Sequence, residues 1–571
     1  MSTTRTRPAR PEGQWALGST EPLNANEEFK AADNGLNVRE RVEQVYAHQG
    51  FASIEASDLR GRLRWWGLYT QRRPGIDGGR TATLEPHELD DEYFMLRVRI
   101  DGGAVNLAQL RVLADISQRY ARGTADITDR QNIQYHWIRI EDVPAIWQAL
   151  EAVGLSTTEA CGDTPRVVLG SPLAGIAADE IIDGTPAIDE ITRRFIGDPD
   201  LANLPRKFKT AISGNPNLDV AHEIQDVAFV GVVHPEHGPG FDIWVGGGLS
   251  TSPALAQRLG AWVPLAEVPD VWHGVIRIFR DYGYRRLRNR ARLKYLMADW
   301  GAAKFREVLE SEAYLGRPLI DGPAPAEPPR GRRDHVGVTS QGRGRFIVGA
   351  APTVGRISGA TLTALAGAVE RAGSDRVRFT VDQKLVVLDV AAEAVADLVD
   401  ELDAIDLQVR TSTFRRGTMA CTGIEFCKLA IVETKATAID VIGQLEKRFS
   451  DVPELFAPDA PQLSININGC PNACARTQLA DIGLKGIQLT NPADPDGATV
   501  DGFQIHLGGG LGLSAEAHGG SGFGRKLRGL KTTAADLPDY VERVVRNWLE
   551  QRTDGEAFAT WVARAAEADL Q

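Results

Sequence analysis

The chain has 571 residues, too long for one ordinary domain, so roughly two to four are expected. With 25% charged and 43% hydrophobic residues, its composition is that of a globular protein. A net charge of −12 argues against a general nucleic-acid binder, which must neutralise phosphates, and no apolar stretch approaches the roughly 20 residues that cross a bilayer.

In chain order, residues 1–25 are polar and rich in Pro, Arg and Thr, and residues 1–13 hold no apolar run of a secretory signal. A flexible start and a cytoplasmic protein are therefore expected. From Phe94 to Ile100 the apolar residues fill the even positions, which sends Arg97 and Arg99 together to the other face of a strand. An amphipathic helix is expected near 104–120. From Asn132 to Trp137 the apolar positions are odd, and Asn132, Gln134 and His136 share the opposite face. Arg206 to Lys209, if extended, projects Lys207 and Lys209 together. Residues 316–334 are Pro-rich and end in a basic run, the composition of an extended linker, and a second amphipathic helix is expected near 358–372. Strand and helix alternate on both sides of the linker, which gives an α+β (mixed α/β) class.

The linker separates two parts of comparable size, and short strings recur in both in the same order. Ala160-Cys161 resembles Ala420-Cys421. Gly214-Asn215-Pro216-Asn217 resembles Gly469-Cys470-Pro471-Asn472. Asp226 and Gly231 meet Asp481 and Gly486, and Gly246-Gly247-Gly248-Leu249 recurs as Gly508-Gly509-Gly510-Leu511. The shared order indicates internal duplication rather than chance among Gly-rich strings. Under it, Asn215 and Asp219 stand where the second half has Cys470 and Cys474, so only the second half can hold a thiolate-bound centre.

Four of the five cysteines, Cys421, Cys427, Cys470 and Cys474, form a tight block, too few and too local for an extracellular disulfide scaffold. Thiolates are soft ligands that suit iron–sulfur clusters or zinc. The wide gap between Cys421 and Cys427 is less typical of zinc, and Gly469 and Pro471 suggest a tight loop around a bulky cluster. Zinc and unliganded core cysteines remain the alternatives. The Gly-rich strings lack the G-x-G-x-x-G pattern between strand and helix, so a dinucleotide loop is the weaker reading.

In combination these landmarks resemble one family. Cys421 and Cys427, followed by Asn468-Gly469-Cys470-Pro471-Asn472-Ala473-Cys474, resemble the sirohaem and 4Fe-4S signature of assimilatory sulfite and nitrite reductases. The stretches Phe94 to Arg99, Arg130 to His136 and Leu204 to Lys209 agree, as do both Gly-Gly-Gly-Leu loops, over roughly residues 60–550. One departure is Val167 after Arg166, where Asn is common in that family. The resemblance implies an internally duplicated fold, two ferredoxin-like-plus-sirohaem-binding halves around a shared cofactor site. The implied division is an N-terminal extension wrapping the core at 1–85, a ferredoxin-like α/β domain at 86–155 and a first sirohaem-binding half-repeat at 156–315. The linker at 316–334 leads to a second ferredoxin-like domain at 335–408 and a half-repeat carrying the cluster at 409–571.

The resemblance further implies that the four cysteines hold a 4Fe-4S cluster and that Cys474 also binds the sirohaem iron. It places Arg97, Arg166, Lys207 and Lys209 in an anion pocket, where cationic donors bind the substrate and stabilise charge as S–O bonds break. Arg130, Asn132, Gln134, His136 and Asn472 would contact the tetrapyrrole. Backbone amides near Gly246, Gly247, Gly508 and Gly509 would meet its carboxylates. Taken singly, each cation is more often a solvated surface charge and His136 more often a structural histidine. The implied reaction is the six-electron reduction of sulfite to sulfide. Lys209 points to sulfite, because nitrite reductases of this family tend to show Asn there.

A nitrite reductase on the same scaffold is the alternative. A non-catalytic iron–sulfur or zinc protein would not need the cations, and a cobalamin-pathway oxygenase of the same superfamily would leave the paired lysines unexplained. Tyr69, in the aromatic-basic run Arg64 to Arg73, and Cys161 are a candidate pair for modification beside the pocket. No flavin or nicotinamide domain is recognisable, so electrons would come from a separate protein, ferredoxin or else a flavoprotein subunit. Ferredoxins are acidic, which calls for a local basic patch at Arg525, Lys526, Arg528 and Lys531, or at Arg330, Arg332 and Arg333. A monomer is expected.

Overall fold

A computed structural model describes residues 24–85, 87–327, 334–491, 499–511 and 522–571. The patch at Arg330, Arg332 and Arg333 lies outside the described residues. Among the described residues no helix is long and apolar enough to cross a membrane.

The alternation read from the sequence folds as strands. Asp90–Val98 buries Phe94, Leu96 and Val98 completely and turns Arg97 to the other face, and Ile133–Ile138 pairs with it antiparallel. The helices follow: Leu107–Tyr120 is closed by a capping box at Asn106 and Gln109, and Gly359–Arg371 is capped by Ser358. These two helices pack against each other so closely that a Cβ on Gly359 would lie 2.9 Å from Ser117 Oγ.

A five-stranded and a six-stranded sheet carry these helices, and each takes an edge strand from the other half. Arg356–Ser358 completes the sheet that contains Asp90–Val98. Ala104–Asn106 completes the sheet built on Arg345–Pro352 and Leu385–Ala391. One hydrophobic core runs through both, from Val38 to Val409. The exchange locks the halves around their common seam.

Two further sheets repeat one topology. In the first, Pro165–Gly170, Phe208–Ser213 and Val227–His234 pair parallel, then Gly238–Val245 and Gln257–Val263 continue antiparallel. In the second, Thr418–Ala420, Ile465–Asn468, Ile482–Thr490, Thr499–Leu507 and Lys531–Thr533 do the same. Helices Val268–Tyr282 and Leu537–Gln551 bury Trp272 and Trp548 in the matching cores. Each such burial contributes about 1.5–3 kcal/mol or more. Within 316–334, Ile320–Asp321 adds a short edge strand rather than continuing as linker.

The duplication holds bond by bond, with one correction. Cys427 N–H donates to Gly423 O and Ile431 N–H to Gly469 O; Ala177 N–H donates to Leu173 O and Ile181 N–H to Gly214 O. On this frame Ser171, not Cys161, stands opposite Cys421. The shared Ala-Cys dipeptide misleads, since Cys161 precedes the strand Pro165–Gly170 whereas Cys421 follows the strand Thr418–Ala420. In the first half Ser171 donates to Asp219 and accepts from Asn215, a polar chain where the second half has cysteines.

Candidate functional site

Cys421 and Cys470 follow the ends of the strands Thr418–Ala420 and Ile465–Asn468, and Cys427 and Cys474 lie further along the same two loops. Gly469 N–H donates to Cys421 Sγ at 3.2 Å, and amides of Leu429 and Ala430 reach Cys427 while that of Asn472 reaches Cys470. Burial, with the nearby Cys474 charge adding, pushes the Cys421 and Cys470 thiols up to about 12. Four crowded thiols surrounded by N–H donors need a cationic body to become thiolates together. Among the described residues no three His, Cys, Asp or Glu side chains converge on a single-ion site. Four cysteines drawn from two loops match the four thiolate ligands that a 4Fe-4S cluster takes.

Across from Cys474 lies a set of cations. Arg97 donates to Gln134 Oε1 at 2.8 Å, and its electrostatic neighbours are Cys161, Tyr69, Asp129 and Cys474. Arg166 is clamped by the carbonyls of Gly162 and Ala160, which flank Cys161. Arg130 donates to Val167 O at 2.7 Å, and burial, with Arg166 and Arg97 adding, pushes it down to about 9. Val167 thus acts here through its carbonyl, and its side chain lies in a small apolar cluster. Burial also pushes Lys209 down to about 7, and Lys207 goes well below the usual lysine range with Lys209, Arg292 and Arg206 adding. The structure therefore links Arg97, Arg130, Arg166, Lys207 and Lys209 in one electrostatic cluster, of which Arg97 and Lys207 face Cys474. Tyr69 and buried Cys161 both lie beside Arg97.

The other sequence-derived residues divide. Gln134 bridges Arg97 to Thr422, next to Cys421. Asn132 accepts from Ile100 N–H and leaves its buried Nδ2 without a partner. His136 stacks on Phe426 at 3.7 Å and 3.6 Å from Asp126, which Lys435 and Arg356 also hold. Burial pushes His136 down, so it serves as a neutral wedge behind the Cys427 loop.

The glycine loops need a correction. The N–H groups of Gly246, Gly247, Gly508 and Gly509 all donate to backbone carbonyls, of Asp226, Gln225, Asp481 and Ala480 respectively. They are not free amides for carboxylates. They are glycines because the chain passes too close for a side chain: a Cβ on Gly247 would lie 2.3 Å from Glu223 O, and one on Gly509 2.4 Å from Gln478 O.

Unpartnered buried donors test whether a carboxylate-rich tetrapyrrole fits. Arg97 Nε, Arg130 Nε, Asn132 Nδ2 and Arg476 Nε are all buried without a partner. Such donors cost about 1–3 kcal/mol each unless a ligand accepts from them, and they suit a polyanionic cofactor. Sequence reasoning missed Arg476, although it lies two residues after Cys474 and joins Asp382 and the carbonyls of Asp129 and Val381.

It also missed Glu159. This carboxyl is fully buried behind the Arg166 loop, with Oε2 accepting Gly197 N–H at 2.9 Å and Oε1 unpartnered. Burial pushes it up to about 8, above its unfolded value. A raised carboxyl favours folding below the unfolded pKa, and that contribution fades as pH rises towards 8. Glu159→Gln is expected to match the wild type near pH 4.5 and to be more stable by a few kcal/mol near pH 8. Denaturant titrations across this range check it; an advantage that shrinks with pH would refute the assignment.

Comparisons with known proteins agree with this geometry. Residues 161–319 and 412–570 match the nitrite and sulphite reductase 4Fe-4S domain, and 87–153 and 338–405 match the nitrite/sulfite reductase ferredoxin-like half domain. The chain is 61% identical over 571 residues, all of both chains, to a Mycobacterium tuberculosis protein named sulfite reductase (ferredoxin). It is 35% identical to a Synechococcus elongatus ferredoxin–nitrite reductase, covering 93% of this chain and 97% of that one. The solved structure of the Mycobacterium tuberculosis NirA protein superposes with a TM-score of 0.93 at 60% identity, over 98% of this chain and 100% of that one.

Proposed function

From the premise that this chain belongs to the nitrite and sulphite reductase family, we propose that it reduces sulfite to sulfide with six electrons taken from ferredoxin. The observation that carries this reading is the pair Lys207 and Lys209, held in one electrostatic cluster with Arg97, Arg130 and Arg166.

Cys421, Cys427, Cys470 and Cys474 would hold a 4Fe-4S cluster, which would relay the donor's electrons to sirohaem, and sirohaem would supply the iron that binds the anion. The protein supplies charge and protons. Arg97 and Arg166 are fixed by Gln134 and by backbone carbonyls, so they bind sulfite without rearranging. Lys209, pushed down to about 7, and Lys207, held well below the usual lysine range, can give protons to the oxygens that leave as water. Arg130, Asn132 and Arg476 offer unpartnered donors to the tetrapyrrole carboxylates. Asn472 acts through the amide it turns towards Cys470.

For the donor, the exposed Arg525, Lys526, Arg528 and Lys531 form the candidate basic patch, with Lys526 beside His506. Burial pushes His506 down to about 4, with Lys485 and Lys526 adding. That local positive potential suits an acidic ferredoxin against an otherwise acidic chain. We place the enzyme in the cytoplasm as a monomer. Tyr69 and Cys161 stand as a candidate modification pair beside Arg97.

Nitrite is the rival substrate, favoured by the nitrite reductases among the relatives. Steady-state assays with reduced ferredoxin and each anion decide. Sulfite is expected to give the higher kcat/KM, with the ferredoxin KM rising with ionic strength. A higher kcat/KM for nitrite would overturn the substrate assignment.

A further inference from the structure

The lysine strand, the Gly246 loop and the helix Leu293–Glu310 meet at one buried carboxylate that the chemistry above leaves without a task. Asp226 Oδ2 accepts the Lys209 backbone N–H at 2.9 Å, and Asp226 N–H donates to Lys209 O at 2.9 Å, so the aspartate grips that residue from both sides. Asp226 O also accepts the Gly246 N–H at 2.9 Å. The Arg292 guanidinium closes on the carboxylate, with Nε 3.2 Å from Oδ1 and Nη2 2.8 Å from Oδ2. Arg292 stands at the N-terminal end of Leu293–Glu310 and lies against Gly248, where a Cβ would be 3.0 Å from Nη2.

The internal duplication provides a control. Asp481 occupies the same position in the second half: its Oδ2 accepts Ser464 N–H at 2.8 Å, and its carbonyl accepts Gly508 N–H at 2.8 Å. Its carboxylate is met by the Ser464 hydroxyl, not by an arginine, and burial pushes it up to about 6. The backbone arrangement therefore stands without a guanidinium. The arginine is found in the half that carries the two lysines.

We propose that Asp226 and Arg292 are positioning residues of the anion pocket, the carboxylate fixing the Lys209 backbone and the guanidinium holding a permanent positive charge beside Lys207 and Lys209. This rests on the reading of those lysines as anion-binding proton donors. Lys209 faces Arg130, Arg292, Asp129 and Asp226, and Lys207 faces Lys209, Arg292, Arg206 and Cys474. Arg292 acts on both, and an arginine does not titrate in the working range. Its charge weakens the hold of each lysine on its proton, while Asp226 limits the effect at Lys209.

Arg292→Gln removes the charge and keeps a donor to Asp226; Arg292→Lys keeps the charge. Holoenzymes of matched sirohaem and iron content are compared by the pH dependence of sulfite affinity, read from the visible spectrum of the oxidised protein, and of kcat/KM. In Arg292→Gln the alkaline limb of both profiles is expected to move up by about one pH unit. In Arg292→Lys it is expected to stay in place, and in Asp226→Asn to move down. An unmoved limb in Arg292→Gln, or equal movement in both arginine variants, overturns the proposal. Should Arg292→Gln lose its cofactors, a wild-type limb in Arg292→Lys with a lowered limb in Asp226→Asn supports it, and any other pairing overturns it. Lys209→Met isolates the underlying reading. Wild-type sulfite affinity and pH dependence in that variant would defeat the anion pocket itself. Lost affinity there, beside unmoved Arg292 profiles, would defeat only the positioning role.

Discussion

Replacing Cys474 with alanine is expected to lower sulfite reduction by at least about a hundredfold while the protein stays folded. The side chain is exposed, so its removal opens no cavity in the core. The loop that carries it is held by other bonds: Ala475 N–H donates to Asn468 Oδ1 at 2.6 Å, and Arg476 N–H donates to Ala473 O. What the thiol contributes is charge at one place. It adds to burial in pushing up Cys421, Cys427 and Cys470, and it is the negative group that Arg97 and Lys207 both face. That double outlook is what the proposed role of Cys474, joining the metal body to the anion pocket, requires. Iron, acid-labile sulfide and the visible spectrum report the first loss, turnover reports the second, and far-ultraviolet circular dichroism checks the fold. A variant with wild-type iron, sulfide and turnover would remove Cys474 from the site.

The cluster half of this site was legible because its chemistry is local. Cys470 and Cys474 share one loop, and Cys421 and Cys427 another, so spacing alone brings the thiols close. The cationic half was legible only in part. Alternation in Asp90–Val98 predicts that Arg97 leaves the core, but nothing in the pattern predicts that Arg166 is clamped by the carbonyls on either side of Cys161. Asp226 and Arg292 are separated in sequence by three strands and a long helix, and their pairing is a product of tertiary packing. The glycine loops were misjudged for a related reason. Composition shows that a side chain is missing, yet only the fold shows that the N–H groups are already engaged. The exchanged strands Ala104–Asn106 and Arg356–Ser358 are too short to carry a periodic signal, so the interlock of the two halves was invisible in sequence.

Lys209→Met is expected to cost about a hundred- to a thousandfold in kcat/KM for sulfite, the range seen when one donor to a developing charge is removed. Its dependence on pH is the sharper test. The Lys209 pKa is pushed down to about 7, chiefly by burial and then by Arg130 and Arg292, so the ammonium is present below that pH and fades above it. The wild-type advantage over the methionine variant should therefore be greatest in mildly acidic buffer and shrink as pH rises through about 7. The titration of the anion itself is common to both proteins and cancels in the ratio. Lys209→Arg separates binding from proton delivery. It keeps a positive charge that does not titrate in this range, so sulfite affinity should persist above pH 7 while turnover falls. If the arginine variant turned over sulfite as fast as the wild type at every pH, Lys209 would be an anchor for the anion only. The protons that convert its oxygens to water would then have to come from Lys207, which burial and the neighbouring cations also hold well below the usual lysine range.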